Sequence, residues 1–423
     1  MKIKYSSIIK LNITLLLIMQ LSYTKLLGKA IPIFSTSYIS NPLVIFYLCI
    51  GIITIVLSGF YSYFNGKVLF SEMMIMAVII IVALYNTAEK YNTTKFIYII
   101  AFGLNYMYFF LAIPIYRMLR KDKKYFNKLL RTLAALCAGS YIIRAAISLT
   151  YVYTGVDVLP AIALEGASVG WIRNGILRIN PPCIGIIYLP VIFYLYSEAK
   201  KIRQRVLYIG MMVLGIWYMM YITQARSMMI YQACILVFLL MLKNKRNSKK
   251  GIIATIVIIC FCVVLINSPA VEELFESFSE KNASMGGSTT ARLNAIEYFG
   301  LKFLKNPFTG IGFLLGTDTR VPIGGDISDI GLLRSIYMLG LGMMILYIVL
   351  FCRGIFVSYK IRKYDSNLSI LVIGMTFLIM LTDINIDCFW DVFAFAMPFY
   401  VAIVEYTMYR IKVAPVYYRR TKE

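Results

Sequence analysis

Apolar residues along this chain gather into long runs, and the runs recur from one end to the other with only brief polar interruptions. A stretch of roughly 20 apolar residues covers the ~30 Å hydrocarbon core of a bilayer. Runs approaching that length lie near 8–28, 43–63, 68–86, 96–116, 129–153, 183–199, 206–222, 227–242, 251–267, 332–352, 368–386 and 389–409. They predict an all-α, polytopic membrane protein of about a dozen transmembrane helices, with residues 1–423 forming one transmembrane domain. An even number of spans puts both termini on the same side.

Two segments between spans are long: a first loop over 154–182 and a large loop over 268–330. The large loop opens with an acidic stretch (Glu272, Glu273, Glu276, Glu280) and a flexible passage, Ala283-Ser284-Met285-Gly286-Gly287. Ser288 or Thr289 can then cap a helix that runs to about Lys305 and stops at Asn306-Pro307. Leu293, Ile296, Phe299, Phe303 and Leu304 make its apolar stripe, which suits a helix in the membrane interface or packed on the bundle. Arg292 projects from that apolar face, either snorkelling or held for a buried anion.

Composition agrees with the pattern. Hydrophobic residues make up 60% of the chain and mean hydropathy is +0.76, above the roughly 45–50% apolar content of soluble domains. The net charge of +23 changes the picture only through its distribution. With the N-terminus inside, the cytoplasmic segments 1–10, 65–67, 117–131, 197–205, 243–250, 353–365 and the tail after Tyr409 hold 29 of the 43 Lys and Arg residues. That asymmetry is the positive-inside rule, so it places both termini in the cytoplasm and needs no nucleic acid as partner. The long loops then lie outside. The cytoplasmic connections are short, and neither a GxxxxGK[ST] nor a GxGxxG motif occurs, so chemistry belongs at the outer face without ATP. The eight cysteines lie in or beside apolar runs and form no CxxC, as expected of packing residues. The first run loosely resembles a signal peptide, but it is long and carries Asn12 and Gln20, which favours a retained helix.

The chain contains no histidine. Ser-His-Asp triads, His-ligated metals and a histidine base are thereby excluded. Acid–base work falls to Asp, Glu, Lys or Tyr, and anion binding to arginine, lysine or backbone amides. Arg226 begins a span after the tight turn Thr223-Gln224-Ala225, where its charge opposes the helix dipole; it serves as an interfacial anchor or as part of an anion site. Arg144 lies mid-span, where an ionisable group costs on the order of 3 kcal/mol, so it should face the bundle and have a partner, bracing helices or touching substrate. Asp383, Asp387 and Asp391 either line one face of a helix, as a metal site would need, or form a turn or pair with outer arginines. Asp326 and Asp329 precede the tenth span and read as turn or cap residues.

Motifs from about 220 to 345 add a family. Thr290-Ala291-Arg292-Leu293, the turn Asn306-Pro307-Phe308-Thr309-Gly310-Ile311-Gly312, and Asp329-Ile330-Gly331-Leu332-Leu333 with Leu339-Gly340-Leu341-Gly342 resemble the O-antigen ligase/polymerase superfamily, most closely the Wzy-type polymerases of O-antigen and capsular polysaccharide. The Thr223-Gln224-Ala225-Arg226 turn resembles that family's T-x-S-R turn. Ligases of the superfamily carry a histidine at the offset that Asp329 has here from Gly340; its absence argues for a polymerase.

The resemblance implies a GT-C-like helical bundle in the bacterial plasma membrane. It implies a metal-independent, inverting glycosyltransferase without cofactors, joining undecaprenyl-diphosphate-linked repeat units at the outer face. A flippase and a chain-length regulator of the same pathway would be its partners, with the lipid bilayer itself. On that reading Arg226 and Arg292 hold the diphosphate, Arg173 and Arg178 assist with glycan or phosphate, and Asp329, with Asp326 as alternate, deprotonates the attacking hydroxyl. The rivals are a lipid-linked oligosaccharide flippase, an O-antigen ligase and a peptidoglycan-type polymerase of the shape-and-division family.

Overall fold

A computed structural model of the chain describes residues 5–21, 67–92, 105–121, 123–156, 172–173, 175–244, 287–314, 316–389 and 391–420, together with residues 23, 103 and 158. The expected spans at 43–63 and 251–267, and the acidic stretch of the large loop, lie outside them. Twelve α-helices are formed by the described residues. They are α1 (Tyr5–Gln20), α2 (Lys67–Tyr91), α3 (Ala112–Lys121, entered through a 3-10 turn at Tyr108–Leu111), α4 (Lys123–Thr154), α5 (Gly185–Glu198), α6 (Ile202–Tyr218), α7 (Arg226–Asn244), α8 (Gly287–Phe303), α9 (Leu332–Leu339), α10 (Leu341–Ile361), α11 (Ser366–Thr382) and α12 (Met397–Arg420).

Burial follows from which faces are apolar. In α5 every residue from Gly185 to Leu195 is buried, and α11 is buried around most of its circumference. A helix apolar on all sides belongs in the middle of a bundle. Accordingly α11 packs against α5, α7, α10 and α12. By contrast, α2 exposes Val78, Ile81 and Tyr85, α6 exposes Val206, Leu207 and Val213, and α10 exposes Ile345, Ile348 and Phe356. Apolar stripes of that size facing outward suit lipid rather than water. Among the described residues, Leu69–Tyr91, Lys124–Thr154, Ile202–Thr223 and Leu341–Ile361 are long and apolar enough to cross a membrane, and α5, α7 and α11 contribute shorter apolar helices.

Several expected elements are corrected. The predicted span 332–352 is two helices, because Gly340 adopts φ 87 and ψ 179 and breaks it into α9 and α10. The span expected at 389–409 is a 3-10 turn, Asp391–Ala396, followed by α12. The span expected at 206–222 ends in a π-helical turn, Met219–Thr223. The all-α expectation is exceeded in the first loop by a short antiparallel pair, β1 (Ile172–Arg173) with β2 (Ile176–Leu177). The loop helix does form as α8, but its apolar stripe splits. Phe299 is buried and Ile296 and Phe303 pack on the core, while Leu293 and Leu304 are exposed. Cys137, Cys183 and Cys388 are buried packing residues, whereas Cys234 and Cys352 are exposed; all five are free.

The Pro307–Gly312 turn docks on the helix break. Ile311 N donates to Tyr337 O at 2.9 Å, Gly312 N to Met338 O at 3.1 Å, and Leu341 N to Pro307 O at 2.9 Å. These bonds satisfy backbone groups that the break in the helix would otherwise orphan. Gly310 (φ 73) lies against the Met338 carbonyl and the Gly340 amide, and Gly340 lies against the Phe308 carbonyl. On the other side, Asn86 Nδ2 of α2 donates to Thr309 O at 3.1 Å, and Phe313 N donates to Thr87 Oγ1 at 2.7 Å.

Gly310→Ala should therefore lower stability by more than the ~1–3 kcal/mol of a left-handed non-glycine residue, since the new β-carbon also meets backbone. Gly316→Ala, with φ 55 and open space around it, supplies the control that carries backbone strain alone. Thermal unfolding of the purified protein in detergent would compare them; equal losses would contradict the clamp.

Candidate functional site

Polar side chains from several separate segments are tied into two hydrogen-bonded knots. The first knot is built on Thr223, the last residue of the π-helical turn. Arg178 Nε donates to Thr223 O at 2.9 Å, and Thr223 Oγ1 donates to Ile179 O at 3.3 Å. Gln224 follows in the left-handed region (φ 50), which turns the chain sharply so that α7 begins at Arg226. Arg178 is thus fixed at the turn from which Arg226 starts its helix. Arg173 lies in β1 of the same loop. Arg144 joins from α4: it is buried, its Nε donates to Ser140 Oγ at 3.2 Å and its Nη1 to Asn180 O at 2.8 Å. That geometry is the brace, since it ties α4 to the segment that carries Arg178.

The second knot holds Arg292. Its Nη1 donates to Asn385 Oδ1 at 3.4 Å, and Asn385 Nδ2 donates to the Tyr231 hydroxyl at 2.6 Å. Tyr231 lies on α7, about a turn and a half beyond Arg226. Arg292 therefore turns toward the bundle instead of snorkelling outward. Its Nε is buried and has no hydrogen-bond partner among the described residues. A buried guanidinium N–H without an acceptor is costly, and an anion is the natural acceptor.

Asp326 and Asp329 belong to the 3-10 turn Ile327–Ile330 and its cap. Asp326 caps it, accepting from Ser328 N at 2.8 Å and from Thr319 Oγ1 at 3.2 Å. Asp329 is exposed. Gly325 packs on the Ala291 carbonyl beside Arg292, and Leu332 N donates to Asp383 O at 2.7 Å. The segment bearing Asp329 and the helix bearing Arg292 thus pack on each other and on the same 383–385 loop.

Of the two readings of that loop's aspartates, the structure takes the turn: α11 stops at Thr382 and the chain turns. Beneath it lies a network that sequence reasoning missed. Asp387 accepts from Ser335 Oγ, from the Tyr347 hydroxyl at 2.9 Å and from Phe389 N at 2.9 Å. Ser335 in turn pairs with the Tyr106 hydroxyl at 2.6 Å, and Arg334 lies within electrostatic reach of Asp387. Asp383 Oδ1 accepts from Cys388 N at 2.7 Å. The signal was present in Arg334-Ser335, a charged residue inside an apolar run. Farther out, Tyr91 and Lys90 hold the Asp318 carboxyl below the usual carboxylate range, tying the end of α2 to the loop.

Residues 210–329 match the sequence family described as O-antigen ligase. That segment is thus a domain of the O-antigen ligase/polymerase superfamily. No curated protein is matched by the chain. The family points to a membrane glycosyltransferase-like enzyme of polysaccharide assembly acting on lipid-linked substrates. The matched segment contains Arg226, Arg292, the Pro307–Gly312 turn, Asp326 and Asp329; Arg173, Arg178 and the 383–387 loop lie outside it.

The aspartate network should support the whole corner. Asp387→Ala would leave two hydroxyls without their acceptor and a nearby guanidinium without a balancing charge, and should cost about 3–5 kcal/mol, with Asp387→Asn milder. Unfolding midpoints of the two variants measure it, and an unchanged midpoint for Asp387→Ala would refute the assignment.

Proposed function

We propose that this protein is a polymerase of undecaprenyl-diphosphate-linked repeat units, working at the outer face of the bacterial plasma membrane. The observation that carries this reading is Arg292: a guanidinium turned into the bundle, its buried Nε without a partner among the described residues, and linked through Asn385 to Tyr231 of α7, the helix that begins at Arg226. Arginine side chains suit a diphosphate on which charge develops as it leaves. Arg173 is assigned a supporting place toward glycan.

In the proposed step, a sugar hydroxyl of the acceptor attacks the anomeric carbon of the donor glycan. Asp329, exposed on the turn packed beside α8, takes the hydroxyl proton; Asp326, the cap of that turn, is the alternate. The new glycosidic bond forms as the bond to phosphate breaks, and undecaprenyl diphosphate leaves with the electron pair. A single displacement of this kind inverts the anomeric centre, and arginines supply the charge stabilisation. Flippase and chain-length regulator partners follow from the same reading.

The description of the matched family as O-antigen ligase supports a second reading, transfer of finished polymer to another acceptor. The absence of histidine weighs against it. Deleting the gene and resolving the surface polysaccharide on a gel separates the two. Single repeat units, exported and attached, mean polymerase; full-length polymer left on its lipid carrier means ligase; absence of exported units means flippase.

In complementation of that deletion, Arg292→Ala should reduce polymer formation by about 10²–10³-fold. Asp329→Asn should reduce it by about 10²–10⁴-fold. Each variant's membrane level is checked by immunoblot, and full activity of Asp329→Asn would remove Asp329 as the base.

A further inference from the structure

Apart from the groups described so far, three charged side chains meet inside the bundle. Arg353 of α10 lies between Glu72 of α2 and Glu405 of α12, with Nη2 2.9 Å from Glu72 Oε2 and Nη1 3.0 Å from Glu405 Oε2. All three are buried, the side chains retaining 6%, 2% and 5% of their exposure respectively. Two carboxylates around one guanidinium leave one uncompensated negative charge in a low-dielectric interior, which is prohibitively costly. Within the triad only Arg353 offsets the two carboxylates, so the one that Arg353 pairs less well needs a balance of its own.

The two carboxylates are not equivalent. Glu405 accepts an aligned hydrogen bond from Arg353 Nη1, and Lys412 on its own helix adds a favourable charge. Glu72 is in ion contact with Arg353, but neither of its oxygens has a hydrogen-bond partner among the described residues. Among the described residues, Tyr400 of α12 lies near both Arg353 and Glu72, and Tyr116 of α3, itself close to Arg120, lies near Glu405. Tyr400 is itself engaged with Thr376 at 3.1 Å and with Leu350 O at 3.3 Å. A metal cation beside Glu72 would sit against the Arg353 guanidinium, whose charge repels it. A proton requires no such approach.

We propose that the Glu72–Arg353–Glu405 triad is a proton-binding site in which Glu72 carries the proton and Glu405 is the ionised partner of Arg353. The triad joins α2, α10 and α12, so the protonation state of Glu72 governs how tightly α2 is held to the other two. This site is independent of the polymerase reading and stands or falls separately from it.

The test is infrared spectroscopy of the purified full chain in lipid nanodiscs, in H₂O and D₂O, with Glu72→Gln and Glu405→Gln beside the wild type. The wild type should show the carbonyl stretch of a protonated carboxylic acid at neutral pH. Glu72→Gln should abolish that band and Glu405→Gln should retain it. In parallel, the unfolding midpoint of the wild type should fall as pH is raised, while that of Glu72→Gln stays flat. A wild type without the acid band, or one whose midpoint depends on sodium or potassium instead of pH, would overturn the proposal. So would loss of the band in Glu405→Gln alone. The first measurement needs only the wild type, so the proposal can fail even where a variant does not fold.

Discussion

Three backbone hydrogen bonds between the Pro307–Gly312 turn and the break at Gly340 fix the rest of the architecture. A helix crossing a membrane ordinarily satisfies all its own amides and carbonyls, and breaking it there is tolerated only where other protein groups take over. Here the loop turn is the replacement. Because the turn directly follows α8, the clamp also fixes where α8 lies, and so where Arg292 points. Because α9 directly follows the Asp329 turn, it fixes that turn as well. The packing of Gly325 on Ala291 and the bond from Leu332 to Asp383 then close the corner.

The same economy governs the polar groups of the interior. Arg144, Asp387 and Arg353 each lie buried, and each is matched to acceptors or donors drawn from a different element. In a bundle whose packing surfaces are otherwise apolar, such contacts are what distinguish one arrangement of helices from another of similar area. Arg144 sets α4 against the loop before α5; Asp387 sets the final turn against α9 and α10; Arg353 sets α10 against α2 and α12. The first two also constrain the neighbouring site, since the 178–180 and 383–387 segments carry or contact the arginines.

Much of this was legible in the sequence, and the limits were physical. Hydrophobic runs located α2, α4, α5, α7 and α11 because burial in lipid or in the bundle core demands apolar composition whatever the contacts. Run length could not reveal the break at Gly340 or the 3-10 turn at Asp391–Ala396, since a broken apolar helix has the same composition as a straight one. The cap and stop signals located α8, yet Leu293 and Leu304 face outward because helical spacing assigns residues to a stripe without saying how wide the partner surface is. Arg226 and Arg292 stood out as charges in unfavourable company. The companions of Arg292, Tyr231 and Asn385, did not, as a tyrosine or asparagine beside an apolar run is ordinary. Asp387 was visible only as one of a row of aspartates; its partners come from Ser335 and Tyr347, and such long-range pairings leave no local trace.

The contact between Gly310 and Gly340 is mutual. The bare α-carbon of each rests on the backbone flanking the other, so each position is small on account of its counterpart. Once either gains a side chain the two segments part, and the second glycine has nothing left to fit. Their substitution costs are therefore coupled rather than additive.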